Sequence, residues 1–201
     1  MDIVKPPQKK VLPDILTVKE IERVINGTRE LRYQTFILTA YSMGLRLGET
    51  LNLTIGDIDG DRMKVHVRQA KGKKDRFVTL PEASLMALRC YWLTHLNPKF
   101  LFPAGKTAAL RHVAKLTMDR GGLQKTFKVI VNDCGISKHV TPHSLRHYVL
   151  QDIGVIPSLH ICWRGVPTFV QCKNNWVTRM LELRKSIPTC SIGLGGQCAA
   201  R

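Results

Sequence analysis

Apolar residues recur at helical spacing from Thr17 onward. Ile21, Val24 and Ile25 fall on one face, and Thr17 with Glu20 three residues later forms a capping-box signature for the start of that helix. A second helical pattern runs from about Glu30 to Ser42 through Leu31, Phe36, Ile37 and Ala40, breaks at Gly44, and resumes as a short segment holding Leu45, Leu47, Leu51 and Leu53. The period then changes to two. Met63, Val65 and Val67 alternate with polar neighbours and predict a half-buried strand, and Phe77-Val78-Thr79-Leu80 predicts a second. Between them lies Ala70-Lys71-Gly72-Lys73-Lys74-Asp75, a turn of glycine and lysine, so the pair reads as a hairpin. Pro81 opens a third helix through about Trp92, and a loop with Pro98, Pro103 and Gly105 leads into a basic stretch. A helix from about Leu123 to Asn132 is stopped by Gly135, and Thr141-Pro142 starts another with proline at its first position. Beyond about Tyr148 neither period is sustained, and no internal repeat is present. The pattern predicts an α+β fold, mainly α, with a small antiparallel hairpin or sheet among the helices and an aberrant C-terminal region.

Composition narrows the classes. The 201 residues carry 31 Lys+Arg against 15 Asp+Glu, a formal net charge of +16, yet 44% are hydrophobic. That apolar share is too high for a disordered basic tail, and a chain of this length buries roughly 70% of its unfolded surface. No apolar run approaches the ~20 residues of a membrane span, and Met1 to Lys10 is not a signal peptide, so a cytoplasmic protein without a membrane partner is expected. The excess charge asks for an acidic partner, of which a phosphate backbone is the commonest. An aromatic content of 6%, without a cluster for stacking bases, argues against generic RNA binding.

Two motifs resolve into bland readings. Asp57-x-Asp59-Gly60-Asp61 starts like a calcium loop, but its sixth and twelfth positions are Arg62 and Arg68 instead of glycine and glutamate, which favours a turn. Cys162, Cys172, Cys190 and Cys198, four of the six cysteines, contain no C-x-x-C pair, so neither a metal site nor structural disulfides are expected.

Four basic positions far apart in sequence rise above that background. They are Arg46 in Gly44-Leu45-Arg46-Leu47-Gly48-Glu49, Lys71 in the hairpin turn, and His143 and Arg146 in Pro142-His143-Ser144-Leu145-Arg146-His147. Residues three apart share a helix face, so the His143 imidazole and the Arg146 guanidinium can converge on one anion. Singly, each has an ordinary reading as a surface arginine, a solvated turn or a chance H-x-x-R. Together and in this order they resemble the catalytic domain of the tyrosine recombinase (phage integrase) family over about residues 12–148. The resemblance implies DNA strand exchange, in which a tyrosine attacks a phosphodiester to form a 3′-phosphotyrosyl link and release a 5′-hydroxyl. Arg46 and Arg146 match the pair that neutralises the phosphorane, a role suited to planar guanidinium forks. Lys71 matches the general acid on the leaving oxygen and His143 the histidine that assists proton transfer. Lys73, Lys74, Arg76 and His147 are then expected to contact DNA. Double-stranded DNA and other recombinase protomers are the implied partners, and no metal or other cofactor is required.

The sequence departs from the family in three ways. It opens on a Pro/Lys linker at residues 1–13, where a helical core-binding domain precedes the linker in the family. The Leu-Gly-His segment expected after His147 and the tyrosine nucleophile beyond it do not occur. The four tyrosines are Tyr33, Tyr41, Tyr91 and Tyr148. Written as degenerate codons and read from each third base, Asn174 to Thr178 permits Gln-Leu-Gly-His, and nine triplets later Ser186-Ile187 permits Tyr. Residues 149–201 therefore read as a poorly ordered, out-of-frame tail after a catalytic domain at 14–148, truncated at both ends. The expectation is a cleavage-deficient recombinase domain with incomplete cover over Leu45, Leu51, Leu145 and Val149. The alternatives are a non-catalytic DNA-binding module of a recombination assembly and a recombinase that uses a tyrosine supplied in trans.

Overall fold

The computed structural model describes Asp14, residues 16–68 and residues 75–147. Helix α1 (Val18–Gly27) starts at the predicted box: the Thr17 hydroxyl accepts from the Glu20 amide at 3.3 Å and the Glu20 carboxylate from the Thr17 amide at 2.6 Å. Ile21, Val24 and Ile25 are its buried face. Helix α2 (Leu31–Ser42) is the central post of the core, buried on most sides from Gln34 to Ser42. The Gln34 side-chain amide donates to the Ile25 carbonyl at 3.2 Å and so satisfies the end of α1.

Gly44 terminates α2 in a specific way. Its φ of 59° is left-handed, and two bonds close the turn: Gly44 N–H to the Tyr41 carbonyl at 3.2 Å and Leu45 N–H to the Ala40 carbonyl at 3.1 Å. This Schellman arrangement reverses the chain within two residues and launches α3 (Leu47–Leu51) from Arg46.

A three-stranded antiparallel sheet follows, in the order β1 (Ile58–Asp59), β2 (Lys64–Val67), β3 (Arg76–Thr79). The register sets Val65 opposite Val78 and Val67 opposite Arg76 on one face, with His66 opposite Phe77 on the other. Val65 and Val67 are buried, whereas the His66 and Phe77 rings stack at 4.9 Å on the outer face. Helix α4 (Glu82–Leu93) lies against α2, and a buried Ser42–Ser84 hydroxyl pair at 2.6 Å joins them. Helix α5 (Ala108–Val113) buries none of its residues, and α6 (Arg120–Asp133) packs Leu123, Phe127, Ile130 and Val131 inward.

The structure corrects three expectations. The basic stretch contains α5, a six-residue helix whose apolar Leu110 and Val113 stay exposed. Thr141-Pro142 opens a 3-10 turn at Ser144–His147 in place of an α-helix, because Ser144 N–H bonds the Thr141 carbonyl (2.8 Å) and Arg146 N–H the His143 carbonyl (3.3 Å), both three residues back. Leu45, Leu51 and Leu145 are buried. Leu145 lines a small apolar hollow together with Tyr33, Phe36, Ile37, Leu123, Phe127 and Ile130, so α2 and α6 supply the cover. Val149 and the tail from 149 to 201 lie outside the described residues. Among the described residues no helix is long and apolar enough to cross a membrane.

Candidate active site

Arg46 emerges half-buried from the Gly44 turn at the start of α3 and is tied at once to Glu49, one turn on. Its amide donates to Glu49 Oε2 at 2.9 Å and its Nη1 to Oε1 at 2.7 Å. Arg76, first residue of β3, grips the same carboxylate with a second fork, Nη1 to Oε1 at 3.1 Å and Nη2 to Oε2 at 2.7 Å. Burial opposes the charge on Glu49, but the Arg76 bonds, the Arg46 amide and the Arg46 side chain outweigh it and hold the carboxyl at about 2.

Arg146 joins them from the 3-10 turn that the buried Leu145 anchors. Burial, and then repulsion from Arg46, draws its guanidinium below the usual value; Glu49 opposes and Arg76 adds to the effect. Arg46 and Arg76 thus bond one carboxylate, and the Arg146 guanidinium stands within electrostatic reach of all three, leaving an excess of positive charge at a half-exposed place on the surface. Such a cluster can receive an anion and spread its charge over several N–H donors.

Arg46 and Arg146 therefore stand within electrostatic reach of each other. His143 sits exposed immediately before the 3-10 turn, three residues from Arg146, which at three residues per turn places the two positions in line. His147 closes that turn. Lys71, Lys73 and Lys74 lie outside the described residues. Glu49 is the site residue that sequence reasoning missed; its i,i+3 spacing from Arg46 was the available signal. Asp57 of the calcium-like run is buried and committed to Arg68 (2.6 Å) and to the Thr54 amide (2.9 Å), and among the described residues no group of His, Cys, Asp or Glu could hold a metal.

Tyr41 and Tyr91 are core residues, and burial pushes the Tyr91 hydroxyl up to about 12. Tyr33 is half-buried, with the Arg32 guanidinium 4.5 Å over its ring. Tyr148 lies outside the described residues.

A model of the phage integrase family matches residues 14–153. The chain belongs to that family. It is 37% identical over 150 residues to an integrase/recombinase-type relative of Sinorhizobium fredii, covering 71% of this chain and 44% of that one. It is equally 37% identical over 152 residues to a tyrosine recombinase of Thermosipho africanus, covering 73% and 50%. The chain spans about half the length of the curated relatives it matches. Among solved structures, the XerA recombinase superposes with a TM-score of 0.59 at 24% identity, covering 92% of this chain and 67% of that one. The XerH recombinase bound to a palindromic difH substrate superposes at 0.55 with 21% identity, covering 90% and 55%. Both place the fold among the recombinase catalytic domains.

Proposed function

We propose that this chain carries the catalytic domain of a site-specific tyrosine recombinase, spanning residues 14–148, that binds duplex DNA and activates one phosphodiester. The observation that supports the reading is that Arg46 and Arg146, far apart in sequence, stand within electrostatic reach of each other and of Glu49 in a chain of this family. In this reading the two guanidiniums neutralise the non-bridging oxygens, Lys71 protonates the leaving 5′-oxygen, and His143 assists the proton transfer. Lys73, Lys74 and His147 contact the flanking backbone. Other protomers are the second partner, since a palindromic site such as that in the XerH complex presents two equivalent halves.

The same reading holds that these 201 residues do not cut DNA by themselves. No tyrosine follows Tyr148, the family match stops at residue 153, and residues 149–201 are read as largely out-of-frame translation. Two experiments test it. A nicked suicide substrate incubated with the purified chain is expected to yield no covalent protein–DNA adduct, while Arg46→Gln and Arg146→Gln each weaken duplex binding and lower its salt dependence. A covalent adduct formed by this chain alone overturns the cleavage-deficient reading. The nucleotide sequence decides the tail: the reading requires a shifted frame that encodes Leu-Gly-His and a tyrosine nine residues later.

A further inference from the structure

Arg76 follows Lys73 and Lys74 closely in sequence, and on that ground it falls with them as a phosphate contact. The geometry points elsewhere. We infer that Arg76 is a positioning residue, a latch that holds Glu49 from the sheet side and thereby fixes the direction in which Arg46 presents its guanidinium. The inference rests on the reading of Arg46 and Arg146 as the phosphate-binding pair.

The register gives the first argument. Arg76 is directly opposite Val67, so its side chain leaves the sheet on the face of Val65, Val67 and Val78, toward the core, while His66 and Phe77 take the outer face. The second is the fork. Both terminal nitrogens of Arg76 are turned to Glu49, one to each carboxylate oxygen, and the Arg46 amide and Nη1 take one further bond on each. Every Glu49 acceptor site is therefore used, on a side chain that is only 8% exposed. Without Arg76 the carboxylate keeps two bonds of four in a poorly hydrated place, and the partner that can move to compensate is the Arg46 side chain. Moving it toward Glu49 takes it away from an incoming phosphate. A lysine cannot substitute, because a single ammonium cannot span both oxygens.

The test uses the full chain and a short duplex carrying its preferred site, or random duplex where none is known, with affinity measured across a range of salt. Arg76→Gln is expected to weaken binding on the order of fivefold while the slope of log affinity against log salt stays unchanged. Arg76→Lys is expected to show the same loss despite keeping the charge. In an Arg46→Gln background, Arg76→Gln is expected to add nothing, because Arg76 acts through Arg46. A slope that falls by about 0.9 on Arg76→Gln, rescue by Arg76→Lys, or additive losses with Arg46→Gln each overturn the latch. A second cycle follows melting temperature: Arg76→Gln is expected to lower it in the native background and not when Glu49 is already glutamine, and additive shifts overturn the latch as well. Should Arg76→Gln fail to fold, Arg76→Lys serves in both cycles. If Arg46→Gln alone leaves binding unchanged, the phosphate-pair reading fails, and the melting cycle still judges the contact between Arg76 and Glu49.

Discussion

Arg46 and Glu49 are joined twice, by the backbone amide of one to the carboxylate of the other at 2.9 Å and by Nη1 to Oε1 at 2.7 Å. The contact makes an acid-sensitive element of the site. Glu49 ionises near 2 in the fold against an ordinary 4.5, so between those values the unfolded chain binds the extra proton. Its contribution to stability is complete above pH 4.5 and is lost as pH falls through about 2. The loss is expected to be on the order of 3 kcal/mol. Chemical unfolding of the wild type and Glu49→Gln across this range checks it: the stability gap between them closes as the pH falls, and a constant gap contradicts the prediction.

His95 predicts a second, separate window. It is buried, its Nδ1 accepts the Asn97 amide at 3.1 Å, and burial, followed by the Arg111 charge, lowers its pKa from 6.5 to about 4. The Leu101 backbone partly opposes this and His112 reinforces it. The unfolded chain again holds the extra proton between the two values, so stability is full above pH 6.5 and declines toward pH 4. His95→Gln is expected to flatten that part of the stability profile, read by urea unfolding at closely spaced pH values.

What could be read from the sequence was local. Thr17 with Glu20, Gly44 and Gly135 each act within one helical turn, and the structure shows the corresponding box and the two left-handed helix ends. Strand alternation at Val65 and Val67 is likewise a nearest-neighbour signal. The site was half legible, since Arg46 and Arg146 could be named from their motifs and Glu49 stands in the same motif as Arg46, but the Arg76 that grips it from the sheet could not be paired with it. Glu49 meets Arg76 across 27 residues, and no periodicity encodes a pairing made by a sheet folding over a helix. Helix α5 was illegible for a related reason: at six residues it is too short for a period to show, it buries none of them, and a distant side chain holds its end.

That side chain is Asn97. Its amide nitrogen lies 2.7, 3.1 and 3.0 Å from the carbonyls of Arg111, His112 and Ala114, and its carbonyl oxygen accepts from the amides of Lys99 and Phe100. One buried residue therefore ends α5 and shapes the loop before it. Asn97→Ala strands these groups and is expected to cost on the order of 3 kcal/mol in chemical denaturation. Asn97→Asp is expected to be at least as damaging, because it keeps the acceptor but sets a carboxylate oxygen against three carbonyls. A milder effect for aspartate than for alanine would contradict this account.

Gly44 and Gly48 flank Arg46 and predict opposite outcomes for the same substitution. Gly44 holds φ at 59°, where a Cβ meets the backbone, so Gly44→Ala is expected to destabilise by about 1–2 kcal/mol. Gly48 lies in the first turn of α3, and a Cβ there meets nothing within 4 Å. Gly48→Ala removes backbone freedom from the unfolded chain at no steric cost and is expected to stabilise by about 0.5–1 kcal/mol. Because the Gly44 turn sets how the chain passes from α2 to Arg46 at the start of α3, Gly44→Ala is also expected to weaken duplex binding beyond its effect on folding, measured at a temperature where both variants remain native. Equal stability changes at the two positions would contradict the cost of the left-handed turn, and unchanged binding by Gly44→Ala would show that the turn does not govern the placement of Arg46.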